Sequence, residues 1–391
     1  MVKLINITGK AISGEWGTDC DSQDGIPVLR TTNFTNEGII NYNNIVLRNV
    51  KKNIKDKLLC YGDIIIEKSG GSDKQPVGRV VYFDGEENRY LFNNFTGVLR
   101  VKNRDVWNPK YVFYALFAAY KRGETRRFEN RTTGLHNLQI DGYLKNFDIK
   151  EISIAQQDKI CNILDNIRHQ IILREKELTY LDDLMKARFV EMFGDPIKND
   201  KGWKTKCITD ICSTIKGGGT PSKNNPLYFQ GDIPWISPKD MKSELIYDSQ
   251  DHITKEAIEN STTSIIPANS VLMVIRSGIL KHDLPVAINK VPLTINQDIK
   301  AFILGKEIIS IFLLYYFKTI KSEILSGVRA VTADNIDFKD FQKRMVILPS
   351  LSLQKQFADF ADQAEKSKSV IQKSLDETQI LFQSLMQKYF G

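Results

Sequence analysis

The chain has 391 residues, about twice an ordinary domain, so two or more cores are expected. A hydrophobic share of 42% excludes a disordered chain, and 26% charged residues is an ordinary globular value. The net charge is +7, carried by two large basic segments: residues 1–150 hold 23 basic and 17 acidic side chains, and residues 196–349 hold 20 and 16.

In chain order, the opening MVKLINITGKAISG has Lys3 but lacks the apolar core of a signal peptide. Short β-branched runs then predict strands at Asn44–Leu47, Asp63–Glu67, Gly78–Phe83 and Thr96–Val101, with turns such as Asp84-Gly85 between them. Tyr111–Tyr120 reads as a buried helix, and Ile149–Ile154 is a short apolar lead into a long helix. That helix covers residues 155–194. Stepping alternately by four and three through Ile160, Leu164, Ile167, Ile171, Arg174, Leu178, Leu181, Met185, Arg188 and Met192 finds eight apolar residues in ten, the seam of a coiled coil. Gly194-Asp195-Pro196 stops it. Further strands are predicted at Ser270–Ile275, Val286–Ile288 and Ala301–Leu304, a second buried helix at Ile308–Phe317 and a lead at Met345–Leu348. The two buried runs are about ten residues each, half of what a bilayer needs.

Adding 197 to every seam position yields Phe357, Ala361, Ala364, Lys368, Ile371, Leu375, Thr378, Phe382, Leu385 and Tyr389, again with eight apolar residues in ten. Both helices end in Phe-Gly, at Phe193-Gly194 and Phe390-Gly391. Each is about 38 residues, roughly 57 Å at 1.5 Å per residue. The segments before them correspond as well. Ile26-Pro27-Val28-Leu29-Arg30 answers Ile233-Pro234-Trp235-Ile236-Ser237, and Gly62–Gly70 answers Asn269–Gly278. The order is therefore lobe, long helix, lobe, long helix, each lobe mixing α and β.

Catalytic motifs are missing. Gly217-Gly218-Gly219-Thr220-Pro221-Ser222-Lys223 has the composition of a phosphate loop without its spacing. No GxSxG elbow occurs, and Asn225-Pro226-Leu227-Tyr228 lacks the second Pro of an amino-methyltransferase motif. Five cysteines form no CxxC pair, and His136, His169, His252 and His282 are too scattered for a zinc site. Cys207 and Cys212 read as core thiols, and a reducing, cytoplasmic compartment is expected.

A polyanion partner would account for the basic lobes. The densest cluster is Lys121, Arg122, Arg126, Arg127 and Arg131, followed by His136 and Asn137, where Arg suits phosphates and guanine edges and Asn suits adenine. Further first-lobe candidates are Arg30, Thr31, Asn33, Lys68, Ser69 and Lys74. The second lobe offers Lys216, Thr220, Ser222, Lys223, Trp235, Ser237, Lys239, Arg276, Ser277, Lys281 and Arg329. The bland alternatives are solvated loops, Arg–Glu pairs to Glu124 and Glu129, and a packing role for Trp235. Two related but unlike lobes joined by long helices suit a split, asymmetric DNA target, unlike the palindrome read by a homodimer.

Gly218-Gly219-Thr220-Pro221-Ser222-Lys223, then Tyr228, Gly231 and Ile233-Pro234-Trp235-Ile236-Ser237-Pro238-Lys239-Asp240-Met241, resemble the opening of a target-recognition domain in the specificity (S) subunits of type I restriction–modification systems. Ser69-Gly70-Gly71 with Pro76-Val77-Gly78 is similar to the next motif, and Ile347-Leu348-Pro349 with Leu353-Gln354-Lys355-Gln356 resembles the Pro…Glu-Gln signature that opens the conserved helices. The first copy of that signature, Ile152-Ser153-Ile154-Ala155-Gln156-Gln157, departs from it, with no Pro and no Glu, and Ala11–Gln23 lacks the Gly-Gly-Thr-Pro-Ser run.

The resemblance implies an α+β chain. Two mixed α/β target-recognition domains, residues 1–150 and 196–349, would be separated by two long antiparallel coiled-coil helices, 151–195 and 350–391, in an internal two-fold pseudo-repeat. It implies double-stranded DNA, two methyltransferase (M) subunits and two restriction (R) subunits as partners, and no membrane. S-adenosylmethionine, ATP and Mg would serve those subunits, with no cofactor or catalytic residue on this chain. Remaining alternatives are a coiled-coil adaptor without DNA specificity, an enzyme with an unrecognised site, and a specificity subunit in a system without ATP-driven cleavage.

Overall fold

A computed structural model describes the chain apart from residues 21–24, 51–53, 133–134, 328 and 331–333, and apart from the side chains of 131, 132, 135, 329, 330 and 334. It divides into two compact units: Met1–Arg174 with Ser374–Gly391, and Glu175–Lys373. Each unit holds one lobe and half of each long helix.

In the first unit, Val2–Lys3 pairs antiparallel with Asp148–Ile149, so the two ends of the lobe are stitched together. An antiparallel sheet runs in the order Ile12–Ser13, Thr96–Leu99, Ile64–Glu67, Val80–Tyr82. A second sheet orders Thr18–Asp19, Val46–Asn49, Ile26–Leu29 and Leu91–Phe92, the last pair parallel. Ile64–Glu67 is buried at every residue, which is why its three isoleucines follow one another without alternation. The helix Pro109–Lys121 starts where the Asn108 side chain accepts from Lys110 N and Pro109 fills the first turn. Tyr111 through Tyr120 are all buried, as expected of a helix apolar all round.

The second unit repeats the plan. Lys204–Cys207 pairs with Met345–Leu348. A larger sheet orders Cys212–Gly217, Ile299–Leu304, Val271–Val274, Val286–Asn289 and Leu245–Ile246, and a smaller one His252–Ile253, Ile233–Ile236 and Thr294–Ile295. Ser310–Thr319 is the counterpart of the buried helix. Ile26–Leu29 and Ile233–Ile236 differ by 207 positions, as do Ile64–Glu67 and Val271–Val274. The strand expected at Asn44–Leu47 lies two residues later, at Val46–Asn49, and Gly78, with φ of +100°, precedes the strand Val80–Tyr82 rather than joining it. Among the described residues no helix is long and apolar enough to cross a membrane.

The long helices are Ile154–Phe193 and Leu351–Phe390, 40 residues each, and both ends differ by 197. All ten seam positions of each helix escape full exposure, whereas the exposed Leu173, Tyr180, Leu184, Val370, Ile380 and Leu381 lie off the seam. The helices pack antiparallel. In the first unit Cys161 and Leu164 join Phe382, Leu385 and Met386 in one core, while Arg174 donates to Thr378 Oγ1. In the second, Phe189 and Phe193 meet Phe357 with ring centroids 5.4 and 5.6 Å apart, while Lys368 pairs with Asp182. Arg174, Arg188, Lys368 and Thr378 are the polar seam residues; Arg174 meets Thr378, Lys368 meets Asp182 and Arg188 lies over Phe360, and these contacts across the helices fix the register of an otherwise apolar seam.

Each lobe is clipped to the start of one long helix by a fully buried glutamine. Gln157 Oε1 accepts from Asn108 N at 2.9 Å, and its Nε2 donates to Val106 O and Ile152 O, both at 2.9 Å. Gln354, 197 residues on, accepts from Ile309 N at 3.1 Å and donates to Glu307 O at 3.0 Å and Pro349 O at 2.9 Å. The two amides therefore satisfy equivalent backbone groups between the buried helix of the lobe and the lead into the long helix. Gln157→Leu or Gln354→Leu leaves three buried backbone groups unpaired and is expected to destabilise its own unit by about 1–3 kcal/mol. Urea unfolding followed by tryptophan fluorescence reads this, and an unchanged midpoint for both variants would refute the clip.

Candidate nucleic-acid interface

The structure brings several sequence-distant candidates onto one edge of each lobe. In the first lobe Ser69–Gly71 pairs with Leu135–Leu138, which pairs with Glu129–Thr132. Lys68 and Ser69 thereby come beside His136 and Asn137 on a small antiparallel sheet, so the region read as a loop is a β-ribbon. The second lobe shows the same plan in shorter form: Arg329–Ala330 pairs with Asp334–Asn335, and Asn335 bridges Arg276. Thr133 and Gly134 lie outside the described residues, as do the side chains of Arg131 and Arg329.

His136 is not exposed for contact. Only 7% of it is accessible, and its Nδ1 lies 3.0 Å from Glu129 Oε2 while Glu129 Oε1 accepts from Val77 N at 2.9 Å. Its other ring nitrogen lies 3.7 Å from Asp73. This histidine holds the ribbon against the turn that carries Lys74. Arg126 reaches the same turn, its Nη2 donating to Asp73 O at 3.1 Å, yet its side chain stays exposed. Arg127 lies over Phe128 at 4.9 Å, Lys121 over Phe117 at 5.4 Å, and Arg122 donates to Glu124 at 2.7 Å. Lys68 is half-buried, and burial followed by the neighbouring Lys57 pulls its ammonium below the usual lysine range.

In the second lobe the turn 296–298 gathers the candidates. Gln297 accepts from Thr220 Oγ1, and Asp298 Oδ1 takes Arg276 Nε at 2.7 Å and Nη2 at 2.6 Å. Trp235 is buried, donates from Nε1 to Gly219 O at 3.0 Å and meets Phe229 at 5.9 Å; it fixes the glycine loop rather than facing outward. Ser222, Lys223 and Lys281 are exposed, Lys216 is half-buried and reaches Ile265 O at 3.5 Å, and Ser277 accepts from Ile279 N at 3.4 Å.

The glycine loop has a physical reason. A Cβ on Gly218 would sit 1.9 Å from Ile295 O, and one on Gly14 would sit 2.1 Å from Asn93 O. Gly219 N donates to Ile295 O, as Glu15 N donates to Phe92 O. The first lobe thus lacks the full glycine run but keeps its glycine where the backbones touch.

Arg30, Thr31, Asn33, Ser237 and Lys239 brace a different part of each lobe. Asn33 Oδ1 accepts from Arg30 N at 2.9 Å, and Asp240 Oδ2 accepts from Ser237 N at 2.9 Å, capping the short turns Thr31–Asn33 and Pro238–Asp240 in the same way. Asn33 is buried and donates to Asn41 O and Asn43 O; Arg30 donates to Asn44 O, and Thr31 O accepts from Arg79. Lys239 pairs with Asp251 at 2.7 Å. Asp73, Gln297 and Asp298 were not picked out by sequence reasoning, and Glu129, named as an arginine partner, holds His136 and Val77 N instead; superposing the two copies at an offset of 203 would have marked Asn93-Asn94-Phe95 and Asn296-Gln297-Asp298 as one repeated turn.

Comparison with known proteins agrees with this duplicated plan. The family model described as "Type I restriction modification DNA specificity domain" matches residues 3–181 and again 200–378, two stretches themselves 197 apart. The chain is 35% identical over 225 residues to the Type I restriction enzyme EcoR124I/EcoR124II specificity subunit of Escherichia coli, covering 55% of this chain and 53% of that protein. It is 40% identical over 125 residues to the MjaIX specificity subunit of Methanocaldococcus jannaschii, covering 31% and 28%. The matched stretches thus span about half or less of these relatives. A crystal structure of a type I restriction–modification S subunit from M. genitalium has the same fold, with a TM-score of 0.60 at 14% identity over 100% of this chain and 95% of that one. A chain from a structural study of type I complex assembly matches at 0.56 and 16%, over 100% and 96%. With both lobes and most of both long helices inside the matched stretches, this chain belongs to the type I restriction–modification DNA specificity family.

Proposed function

We propose that this chain selects the DNA sequence on which a type I restriction–modification assembly acts. The observation that carries the reading is that the two lobes repeat one backbone plan while presenting different side chains at the same edge, a β-ribbon with exposed Arg126 and Arg127 on the turn before it in one and the Arg276–Asp298 turn in the other. A shared scaffold with unlike reading edges suits two half-sites of different sequence, hence a split and asymmetric target. Exposed Arg126, Arg127 and Lys74 would grip phosphates, and groups such as Arg276 would meet base edges.

Adenine methylation and cleavage would belong to other polypeptides: methyltransferase subunits using S-adenosylmethionine and restriction subunits using ATP and Mg, two copies of each in the full complex. The chain itself would be non-catalytic and would work in the cytoplasm. The free thiols Cys20, Cys60, Cys161, Cys207 and Cys212 fit a reducing compartment, and burial pushes Cys161 and Cys212 up to about 12, which keeps them protonated.

Deleting the gene and mapping methylated adenines across the genome tests the reading. One split, asymmetric motif should disappear and return on complementation; a motif that persists, or that returns as a continuous palindrome, would overturn it. At finer grain, Arg126→Ala with Arg127→Ala should weaken binding to DNA bearing the first half-site and flatten the dependence of log affinity on log salt by about 2, since each phosphate contact contributes about 0.9. A salt titration in a gel-shift assay with the assembled methyltransferase measures both, and an unchanged slope would place these arginines away from DNA.

A further inference from the structure

The strongest unassigned feature is the carboxylate that holds Arg276. Asp298 Oδ1 takes both Nε and Nη2 of the guanidinium, at 2.7 and 2.6 Å, while its Oδ2 accepts from Asn296 Nδ2 at 2.9 Å. Asn296 is itself buried and returns a second contact, its Oδ1 accepting from Asp298 N at 3.0 Å. The backbone beneath is fixed as well: Ile275 N and Arg276 N both donate to Asp298 O, at 2.8 and 3.3 Å. The carboxylate therefore cannot swing, and the guanidinium it holds has its side-on edge occupied. The end-on edge, Nη1 with the outer hydrogen of Nη2, points away from Asp298 on a side chain that is 47% exposed.

We infer that Arg276, held in place by Asp298, is the reader of one guanine in the second half-site, with Asp298 as its positioning residue. The inference rests on the DNA-selecting role proposed above. Two N–H groups in a fixed fork match the O6 and N7 acceptors that guanine alone presents in the major groove. A phosphate is the poorer fit. A carboxylate 2.6 Å away offsets the charge of the arginine and would repel a phosphate, while leaving the direction of the free N–H groups intact. Holding the fork in advance also spares the entropy of ordering a long side chain on binding.

The first lobe supports this independently. Ser69 and Phe95 occupy the equivalent backbone positions, for Lys68 N and Ser69 N donate to Phe95 O at 2.8 and 3.2 Å, repeating the pair of bonds around Asp298. Yet the side chains there are a hydroxyl and a phenyl that is 51% exposed. The scaffold is kept and the chemistry replaced, as expected where two readers must prefer different bases.

The test replaces the chain in its host, one variant at a time, with Arg276→Lys, Asp298→Ala and Asp298→Asn, and sequences the methylated adenines. The unaltered chain should demand a guanine at one position of the second half-site. Arg276→Lys should reduce that preference on the order of tenfold, and Asp298→Ala should relax the same position and no other. Asp298→Asn should fall between Asp298→Ala and the unaltered chain. A uniform loss over all sequences would make Arg276 a phosphate contact and overturn the proposal, as would relaxation at a different position or no change. If the Asp298 variants yield no complex, Arg276→Lys decides, because its side chain is exposed and supports no core. A failure confined to Arg276 and Asp298 leaves the selecting role standing; that role fails only if losing the chain leaves the motif in place.

Discussion

Everything at the reading edges depends on how firmly each lobe is seated on its helix. The seating rests on one buried amide per lobe. Gln157 and Gln354 each tie the backbone that starts the lobe's buried helix to the backbone that leads into a long helix, with three hydrogen bonds in a site closed to water. A methylene side chain could fill the same space but would strand those backbone groups, at a cost comparable to a sizeable share of a domain's net stability. Around each clip the packing is conventional: Tyr111 against Phe390 in one unit, and Phe312 and Phe357 around Phe193 in the other.

Because the seating uses atoms far from the edge, the edge is free to vary. Gly14 and Gly218 allow the same backbone approach, and the turns 93–95 and 296–298 receive the same backbone donors. What differs is what stands on them: Ser69 and Phe95 in one copy, Arg276 and Asp298 in the other. Ordinary surface divergence would scatter such differences. Here they sit on a repeated framework whose buried polar groups, Asn93 and Asn296 among them, are retained.

The long helices were the most legible part of the sequence, placed to within a residue or two, because a heptad seam is a local pattern that no distant contact needs to explain. The apolar runs at Tyr111–Tyr120 and Ile308–Phe317, the second broken only by Ser310, were legible because they too are local patterns. The strand pairing was not, since Ile26–Leu29 and Ile233–Ile236 carry Pro27 and Pro234, and their partners lie tens of residues away. The departures noted in the first copy turn out to spare the groups that matter. The signature there has lost Pro and Glu but keeps Gln157, and the glycine run is gone but Gly14 remains. Of the candidate edge, the basic residues were visible from composition. The amide and acidic groups that orient Arg276, those of Asn296 and Asp298, were hidden, because an orienting role exists only once distant strands meet.

The central claim is that each lobe independently sets one half of a split target. It is tested most directly by replacing residues 206–346 with a second copy of residues 2–149, a join that keeps both strand pairs in register and both glutamine clips, and sequencing methylated adenines in a host carrying that chain alone. The account predicts a motif whose two halves carry the same bases, those of the original first half-site. A motif whose second half is unchanged, or one that still differs between halves, would contradict it.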